Sequence, residues 1–133
     1  MISIAQKNEL ICSAINARTN AYAPYSKYKV GAALLAKSGK IYIGSNFENA
    51  AFGAGVCAER VALGAALSSG EREFLAICVC GQNKNITPCG ICRQSLSEFN
   101  DIEVICCDEY GNTQEYSLSN ILPLSFTPKH LKD

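Results

Sequence analysis

Two short motifs carry residues that could do chemistry. Cys57-Ala58-Glu59-Arg60 supplies a thiol and a carboxylate, and Pro88-Cys89-Gly90-Ile91-Cys92-Arg93-Gln94 supplies two further thiols. Structural zinc sites are closed by four protein ligands, whereas catalytic sites use three and leave a position for water. Three cysteines and a neighbouring glutamate therefore predict a catalytic Zn²⁺ site, with one ion per chain.

Both motifs are predicted to open helices. The segment from Cys57 to Leu67 is rich in Ala and Leu, and Gly70 follows it where a helix end favours a residue with positive φ. Pro88 is compatible with a helix start, and helical character resumes from Cys89 to Phe99. Backbone N–H groups and the positive end of the helix dipole stabilise thiolates over thiols. Both motifs therefore sit where thiolate ligands are favoured.

The charges beside the thiols suggest further roles. Three thiolates and Zn²⁺ sum to a net charge of −1, which Arg60 and Arg93 could offset. Glu59 lies two residues after Cys57, and at a helix start its side chain can still turn toward the open metal position. A carboxylate there could act as a general acid and base. We therefore predict Glu59 as the catalytic residue.

The remaining segments predict a sheet and the helices that cover it. Ser3-Ile4-Ala5-Gln6 has the form of a capping box and predicts a first helix that ends before Pro24. Extended runs are predicted at Tyr28–Ala36, Ile41–Ser45, Phe74–Cys80, Glu103–Cys107 and Thr113–Tyr116, with a short helix at Ser117–Leu122. The apolar run 74–80 is expected at the centre of the sheet. This order predicts an α/β fold, a three-layer α/β/α sandwich with a mixed five-stranded sheet, in one domain over residues 1–133.

The balance of charged residues limits the kinds of molecule that the chain is expected to bind. The 133 residues include twelve basic and twelve acidic ones, so no excess of positive charge is available to hold nucleic acid or a membrane surface. A small, weakly charged substrate is expected instead. The chain shows neither the pattern of an export signal nor a run of about 18 apolar residues. We therefore expect a cytoplasmic protein.

The eight cysteines are expected to be free thiols or metal ligands, since disulfides are rare in the cytoplasm. Five of them lie in apolar segments outside the two motifs: Cys12, Cys78, Cys80, Cys106 and Cys107. Free cysteine is among the most buried residue types. These five are predicted to be small buried hydrophobic residues.

The two motifs together resemble those of cytidine deaminases of the short, three-cysteine, homotetrameric type. The similarity continues through Ala23–Tyr28, Val30–Leu34, Asn46–Ala50 and Leu122–Phe126, and so covers nearly the whole chain. The resemblance implies zinc-dependent hydrolytic deamination of cytidine and 2′-deoxycytidine to uridine and 2′-deoxyuridine, with release of ammonia, in pyrimidine salvage. It implies that Cys57, Cys89 and Cys92 hold Zn²⁺, which activates water for attack at C4, while Glu59 transfers protons.

The resemblance also implies the residues that bind the nucleoside. Asn46 and Glu48 match the pair that binds ribose, and their spacing of two places both side chains on one side of an extended segment. Tyr28 matches an aromatic residue, usually Phe, beside the base, and the backbone of Ala58 matches a position that hydrogen-bonds the pyrimidine. Phe126 matches an aromatic residue contributed by a neighbouring subunit, so the protein is expected to be a homotetramer.

Three features depart from the family pattern, and one is that Gly53-Ala54-Gly55-Val56 is less polar than the usual segment before the first ligand. Phe52 stands where many relatives have Tyr, and Ile91 replaces the smaller Ala common between the second and third ligands. His130, the single histidine, lies far from both motifs in the sequence and is predicted to be a surface residue rather than a metal ligand.

Three other functions share part of this pattern. A structural zinc module would need a fourth ligand, and the remaining cysteines lie in apolar segments that argue against it. A polynucleotide cytosine deaminase needs clustered positive charge, which the neutral chain lacks. A deaminase of a modified cytosine nucleoside, such as a nucleoside antibiotic, is a nearer alternative, although the Asn46 and Glu48 pair favours an ordinary ribose.

Overall fold

Four α-helices, two short 3₁₀ helices and five strands make up the regular structure of the described residues. A computed structural model of the chain describes residues 2–132. The helices are α1 (Ile4–Arg18), α2 (Ala58–Ser68), α3 (Gly90–Ser97) and α4 (Leu118–Ile121). The strands are β1 (Gly31–Ala36), β2 (Ile41–Ser45), β3 (Phe74–Cys80), β4 (Glu103–Cys107) and β5 (Thr113–Ser117). Within residues 2–132, no helix is long and apolar enough to cross a membrane.

The five strands form one mixed sheet in the order β2-β1-β3-β4-β5. The pairs β2-β1, β1-β3 and β4-β5 are antiparallel, whereas β3 and β4 are parallel. A parallel pair needs a crossover connection, and α3 supplies it. The prediction that β3 lies at the centre of a mixed five-stranded sheet is confirmed.

Side chains of the central strands alternate between two hydrophobic cores. In β1, Leu34 belongs to the core under α2, α3 and α4, whereas Leu35 belongs to the core under α1. In β3, Ile77 and Cys78 divide in the same way, because successive side chains of a strand point to opposite faces. The sheet is therefore covered on both faces, which confirms the three-layer α/β/α sandwich.

Local signals explain the helix ends. The Ser3 side chain accepts a hydrogen bond from the Gln6 N–H, and the Gln6 side chain accepts one from the Ser3 N–H, which completes the predicted capping box. Gly70 follows α2 with φ of 95°, a conformation that favours glycine. Cys57 and Cys89 are the N-cap residues of α2 and α3. Both motifs therefore begin helices, as predicted.

Two sequence predictions need correction. Cys12 is exposed rather than buried. It lies two residues, or about 200° around the helix, from the buried Leu10, and so on the opposite face of α1. The first strand begins at Gly31 and not at Tyr28. Residues 28–30 are held mainly by side-chain hydrogen bonds, because the side chains of Asn46 and Gln82 occupy three of their backbone groups. The Asn46 N–H adds one backbone hydrogen bond to the Val30 carbonyl oxygen at 3.3 Å.

Glycine allows α2 to lie directly against β2. A Cβ atom on Gly44 would come within 2.3 Å of the Ala58 carbonyl oxygen and 2.5 Å of the Ala62 amide nitrogen. Both contacts are with helix backbone, which cannot move without the rest of the helix. Gly44 therefore sets the distance between the sheet and the helix that begins at Cys57.

Gly44→Ala should destabilise the protein by about 1–3 kcal/mol, because the added methyl group must push α2 away from β2. Gly64→Ala is the matched control, since nothing lies within 4 Å of a Cβ atom at that exposed position of α2. It should stabilise the protein by about 0.5–1 kcal/mol, because alanine favours the helix. Urea denaturation of both variants measures the difference; equal effects would contradict the close-packing argument.

Candidate metal centre

Three thiols from two helix starts meet at one point. The Sγ atoms of Cys57, Cys89 and Cys92 all lie within 4.8 Å of one another. The Cys57 and Cys89 sulfurs are 3.8 Å apart, and those of Cys89 and Cys92 are 3.5 Å apart. All eight cysteines of the chain are free thiols. The structure thus brings together the three ligands predicted from the two motifs.

The spacing of the sulfurs suits a tetrahedral ion. With Zn–S bonds of about 2.3 Å, tetrahedral geometry separates two sulfur ligands by about 3.8 Å. The measured distances of 3.8 and 3.5 Å are close to this value. Soft thiolate donors in a tetrahedral arrangement favour Zn²⁺ over hard cations such as Mg²⁺. The three thiols therefore fit one Zn²⁺ ion and leave the fourth ligand position to another group.

The pKa values of the Cys57 and Cys92 thiols are shifted in opposite directions. The pKa of Cys57 is lowered to about 5, first because Cys92 donates a hydrogen bond to its sulfur; burial opposes the shift, and Arg60 adds to it. The same hydrogen bond raises the pKa of Cys92, and burial adds to that effect. Metal binding requires thiolates, so it must remove the proton that this pair retains.

The two arginines of the motifs make different contacts. The Arg60 guanidinium lies with Nη2 3.8 Å from the Cys57 sulfur, in position to offset thiolate charge. Arg93 donates instead to the carbonyl oxygens of Pro88 and Ile121, each at 2.7 Å, and to the Thr87 hydroxyl at 3.0 Å. Arg93 therefore holds the segment in front of Cys89, and its three hydrogen bonds go to oxygen atoms rather than to a sulfur.

Glu59 is the buried carboxyl group of the site. The residue is only 4% exposed, although it follows the first position of α2. Burial raises the pKa of Glu59 to about 7, and the nearby Cys57 sulfur adds to the shift, while a hydrogen bond to the backbone N–H of Glu59 opposes it. A carboxyl group with a pKa near neutrality can both accept and donate a proton at physiological pH.

A cavity of about 170 Å³ opens onto two of the three thiols, Cys57 and Cys89, and onto Glu59. Its walls come from four parts of the chain, and its lining residues are Val30, Asn46, Cys57, Ala58, Glu59, Ile86, Thr87 and Cys89. Sequence reasoning missed Val30, Ile86 and Thr87 as wall residues. The only signal for the last two was their place just before Pro88 and Cys89.

Asn46 and Glu48 both point toward the loop 25–30, as their spacing predicts. The Asn46 side chain accepts from the Val30 N–H at 2.8 Å and donates to the Tyr28 carbonyl oxygen at 3.0 Å. Glu48 accepts from the Tyr25 and Ser26 N–H groups and from the Ser26 hydroxyl. Asn46 lines the cavity beside the thiols, whereas Glu48 lines a separate cleft with Tyr25 and Phe52.

The two aromatic residues predicted to contact substrate differ in setting. Tyr28 is partly buried, and its hydroxyl lies 3.4 Å from the backbone nitrogen of Gln82. Phe126 is 56% exposed and stacks on the exposed His130 with ring centroids 5.2 Å apart. Gln94, the last residue of the second motif, donates to the Phe126 carbonyl oxygen at 2.8 Å. The backbone at Phe126 is therefore bound to α3, while the Phe126 ring is exposed.

An α/β/α domain that clusters three thiols, two of which share a cavity with a buried carboxyl group, has the features of the class of zinc-dependent hydrolases. The model of the family described as cytidine and deoxycytidylate deaminase zinc-binding region matches residues 4–108, and the chain belongs to this family. The protein is thus a zinc-dependent deaminase, and its metal is Zn²⁺. The resemblance seen in the sequence is confirmed.

Individual relatives agree with this assignment. A cytidine deaminase of Halalkalibacterium halodurans is 45% identical over 127 residues, which cover 93% of this chain and 96% of the relative. The crystal structure of cytidine deaminase from Burkholderia pseudomallei superposes with a TM-score of 0.86 at 45% identity, and covers 90% of this chain and 98% of that one. Cytidine deaminase from Mycobacterium tuberculosis gives a TM-score of 0.78 at 31% identity, with coverage of 90% and 96%.

Proposed function

We propose that this protein deaminates cytidine and 2′-deoxycytidine to the corresponding uridines by hydrolysis. The observation that carries the proposal is the placement of Glu59, a buried carboxyl group with a raised pKa, in the same cavity as Cys57 and Cys89, two of the three clustered thiols. Deamination of cytosine needs an activated water and a group that moves protons. Cys57, Cys89 and Cys92 would hold the Zn²⁺, which when bound lowers the pKa of water.

Glu59 would carry the protons of the reaction. Water adds to C4 of the cytosine ring, and the amino group leaves as ammonia. One proton of that water ends on N3 of the product, and the other leaves with the amino nitrogen. A single carboxyl group can make both transfers if it accepts each proton and releases it again near neutral pH. Burial gives Glu59 a pKa of about 7, which suits this role.

The cavity walls would orient the nucleoside. Its volume of about 170 Å³ suits a pyrimidine ring better than a whole nucleoside, so the sugar would lie toward the opening. Ala58, which is fully buried and lines the cavity, would present backbone groups to the base. Asn46, which lines the cavity, would hydrogen-bond one sugar hydroxyl, and the Glu48 carboxylate, which lines the separate cleft, would accept a hydrogen bond from another. Tyr28 would flank the base from the segment whose backbone Asn46 holds. The formal net charge of zero gives no support to a polynucleotide substrate.

Metal analysis and a substrate panel test this proposal. The purified protein should contain about one zinc per chain and should convert cytidine and deoxycytidine to uridines, seen as loss of the cytosine absorbance. Cytosine-containing oligonucleotides serve as the control and should remain unchanged. A zinc-replete protein that is inert toward both nucleosides would refute the proposal. The cytoplasm, where thiols remain reduced, is the proposed place of action.

We also propose that neighbouring subunits, assembled as a homotetramer, complete each other's cavities. Phe126 supports this idea because its ring is 56% exposed although its backbone is anchored to α3 through Gln94. Such a fixed and outward-facing aromatic side chain is suited to a protein interface. Its stacking on His130 limits its freedom in advance of any contact.

Subunit mixing tests the sharing of Phe126. Phe126→Ala and Glu59→Gln should each lower activity when present alone. Mixed assemblies of the two variants should regain activity, because a subunit with intact Glu59 can receive Phe126 from its neighbour. Remixing after mild dissociation, followed by the cytidine assay, measures the recovery. Unmixed variants treated identically are the control, and absence of recovery in proven mixed assemblies would contradict the proposal.

A further inference from the structure

Four residues form a closed ring of contacts behind one wall of the cavity. The Lys29 N–H donates to Gln82 Oε1 at 2.9 Å, and the Glu109 N–H donates to the Gln82 carbonyl oxygen at 3.3 Å. The Glu109 carboxylate pairs with Arg18 at 3.1 Å, and Arg18 Nε returns to the Lys29 carbonyl oxygen at 3.3 Å. We call these four residues the Gln82 ring. It joins the end of α1, the loop before β1, the end of β3 and the turn after β4.

The cavity lies on the other side of the same peptide segment. Asn46 holds the Tyr28 carbonyl oxygen and the Val30 N–H, and both Asn46 and Val30 line the cavity. Residues 28–30 are therefore fixed between Asn46 on the cavity side and the Gln82 ring behind. These residues lie outside the strands, and their backbone link to the end of β2 is a single hydrogen bond from the Asn46 N–H to the Val30 carbonyl oxygen at 3.3 Å.

Gln82 also reaches the aromatic side chain of this segment. Its backbone N–H lies 3.4 Å from the Tyr28 hydroxyl, which passes so close to Gly81 that a Cβ atom there would come within 2.7 Å of it. The side-chain amide of Gln82 thus holds the backbone of the wall, while its main chain meets the ring of Tyr28. Both contacts come from one residue at the start of the loop that leads to Ile86 and Thr87 in the opposite wall.

The ion pair in the ring is partly shielded from solvent. The side chains of Arg18 and Glu109 are 18% and 24% exposed, against 67% and 66% for the surface pair of Lys37 and Glu73. Partial burial reduces screening by salt and water, so the pair holds its geometry better than a fully exposed one. The ring is accordingly anchored at a point away from the cavity.

We propose that Gln82 is a positioning residue for nucleoside binding, which acts by fixing residues 28–30 as one wall of the cavity. The inference rests on the proposed function, because the wall matters only if a nucleoside occupies this cavity. Gln82 does not line the cavity and has no direct part in the proton transfers. Its loss should therefore weaken substrate binding and leave the chemical step nearly unchanged.

Two substitutions of Gln82 distinguish the effect of its side-chain hydrogen-bond acceptor from the effect of its side-chain size. Gln82→Met keeps the length of the side chain but removes the acceptor for the Lys29 N–H, whereas Gln82→Glu keeps an acceptor. Gln82→Met should raise KM for cytidine about two- to tenfold, the range expected for one net hydrogen bond, with kcat within about twofold of the unaltered protein. Gln82→Glu should restore KM. Gln114→Met, at an exposed position of β5, is the control and should change neither constant.

Hydrogen exchange provides a readout that does not depend on activity. The amides of Lys29 and Val30 should exchange faster in Gln82→Met than in Gln82→Glu, with zinc content and melting temperature close to those of the unaltered protein. Slow exchange in Gln82→Met, or faster exchange without a rise in KM, would overturn the inference. A fall in kcat at unchanged KM would overturn it as well. If the unaltered protein is inactive toward cytidine, the proposed function fails, whereas an active protein with unaltered Gln82→Met kinetics contradicts this inference alone.

Discussion

Glu59→Gln should keep its zinc and lose nearly all turnover. The amide has the size of the carboxyl group and leaves the three thiols in place, but it can neither accept the proton of water nor deliver it to a substrate nitrogen. General acid and base groups contribute about 10²–10⁴-fold to rate, and kcat should fall by at least that factor. Single-turnover assays with cytidine, together with zinc analysis, measure both properties.

A second glutamate provides the control for this variant. Glu9 is exposed on α1, and Glu9→Gln makes the same chemical change far from the cavity. It should retain full activity and full zinc content. Loss of zinc from Glu59→Gln would instead give the carboxyl group a role as ligand, and near-normal turnover would remove it from the reaction.

Cys89→Ser should lose both zinc and activity while the chain remains folded. Cys89 is the most accessible of the three thiols, so the substitution leaves the core intact, whereas Cys92 is completely buried. A serine hydroxyl is not deprotonated near neutral pH and is a poor ligand for Zn²⁺. The affinity for zinc should fall by more than the roughly 10- to 100-fold that follows loss of a residue that only supports a ligand.

Cys12→Ser is the matched control, because Cys12 is exposed on α1 and belongs to neither motif. Competition with a chromophoric chelator measures zinc affinity, and circular dichroism checks the fold. Cys12→Ser should match the unaltered protein in both measurements. Retention of tight zinc binding by Cys89→Ser would mean that two thiols and another group hold the ion.

The strands and helices could be predicted well because their signals are local. Phe74–Cys80 was predicted as a buried central strand from its continuous apolar run, and the structure gives the same limits. The first helix follows from a capping box within four residues. Predictions failed where a residue's setting depends on the rest of the fold. Cys12 lies in an apolar segment but on the outward face of its helix. Residues 28–30 have the composition of a strand, but the side chains of Asn46 and Gln82 occupy three of their backbone groups.

The site could be predicted only in part for the same reason. The thiols and Glu59 lie within two short motifs, so their proximity could be inferred from the helix starts. Arg60 and Arg93 look equivalent in the sequence, yet only Arg60 lies in contact with a thiol, because the carbonyl oxygens of Pro88 and Ile121 occupy Arg93. These oxygens come from segments that meet only after folding.

The Gln82 ring illustrates the limit most clearly. Its members come from positions 18, 29, 82 and 109, and three of its four contacts use backbone groups. Neither residue type nor spacing marks such a set in a sequence. Only the topology of the sheet, which places the end of β3 next to the loop before β1, brings the four together.

The central strand β3 has a consequence for biosynthesis. Its sequence FLAICVC contains neither charge nor proline, and it is covered on both faces and paired at both edges in the folded chain. During translation, its parallel partner β4 emerges only later, after the whole of α3 has been made. Until β4 has been synthesised, an apolar strand of this kind is exposed and prone to self-association. The charged run Glu71-Arg72-Glu73 directly before it opposes such association. Removal of these three charges should therefore reduce the yield of soluble protein in cells more than it lowers the stability of the folded state.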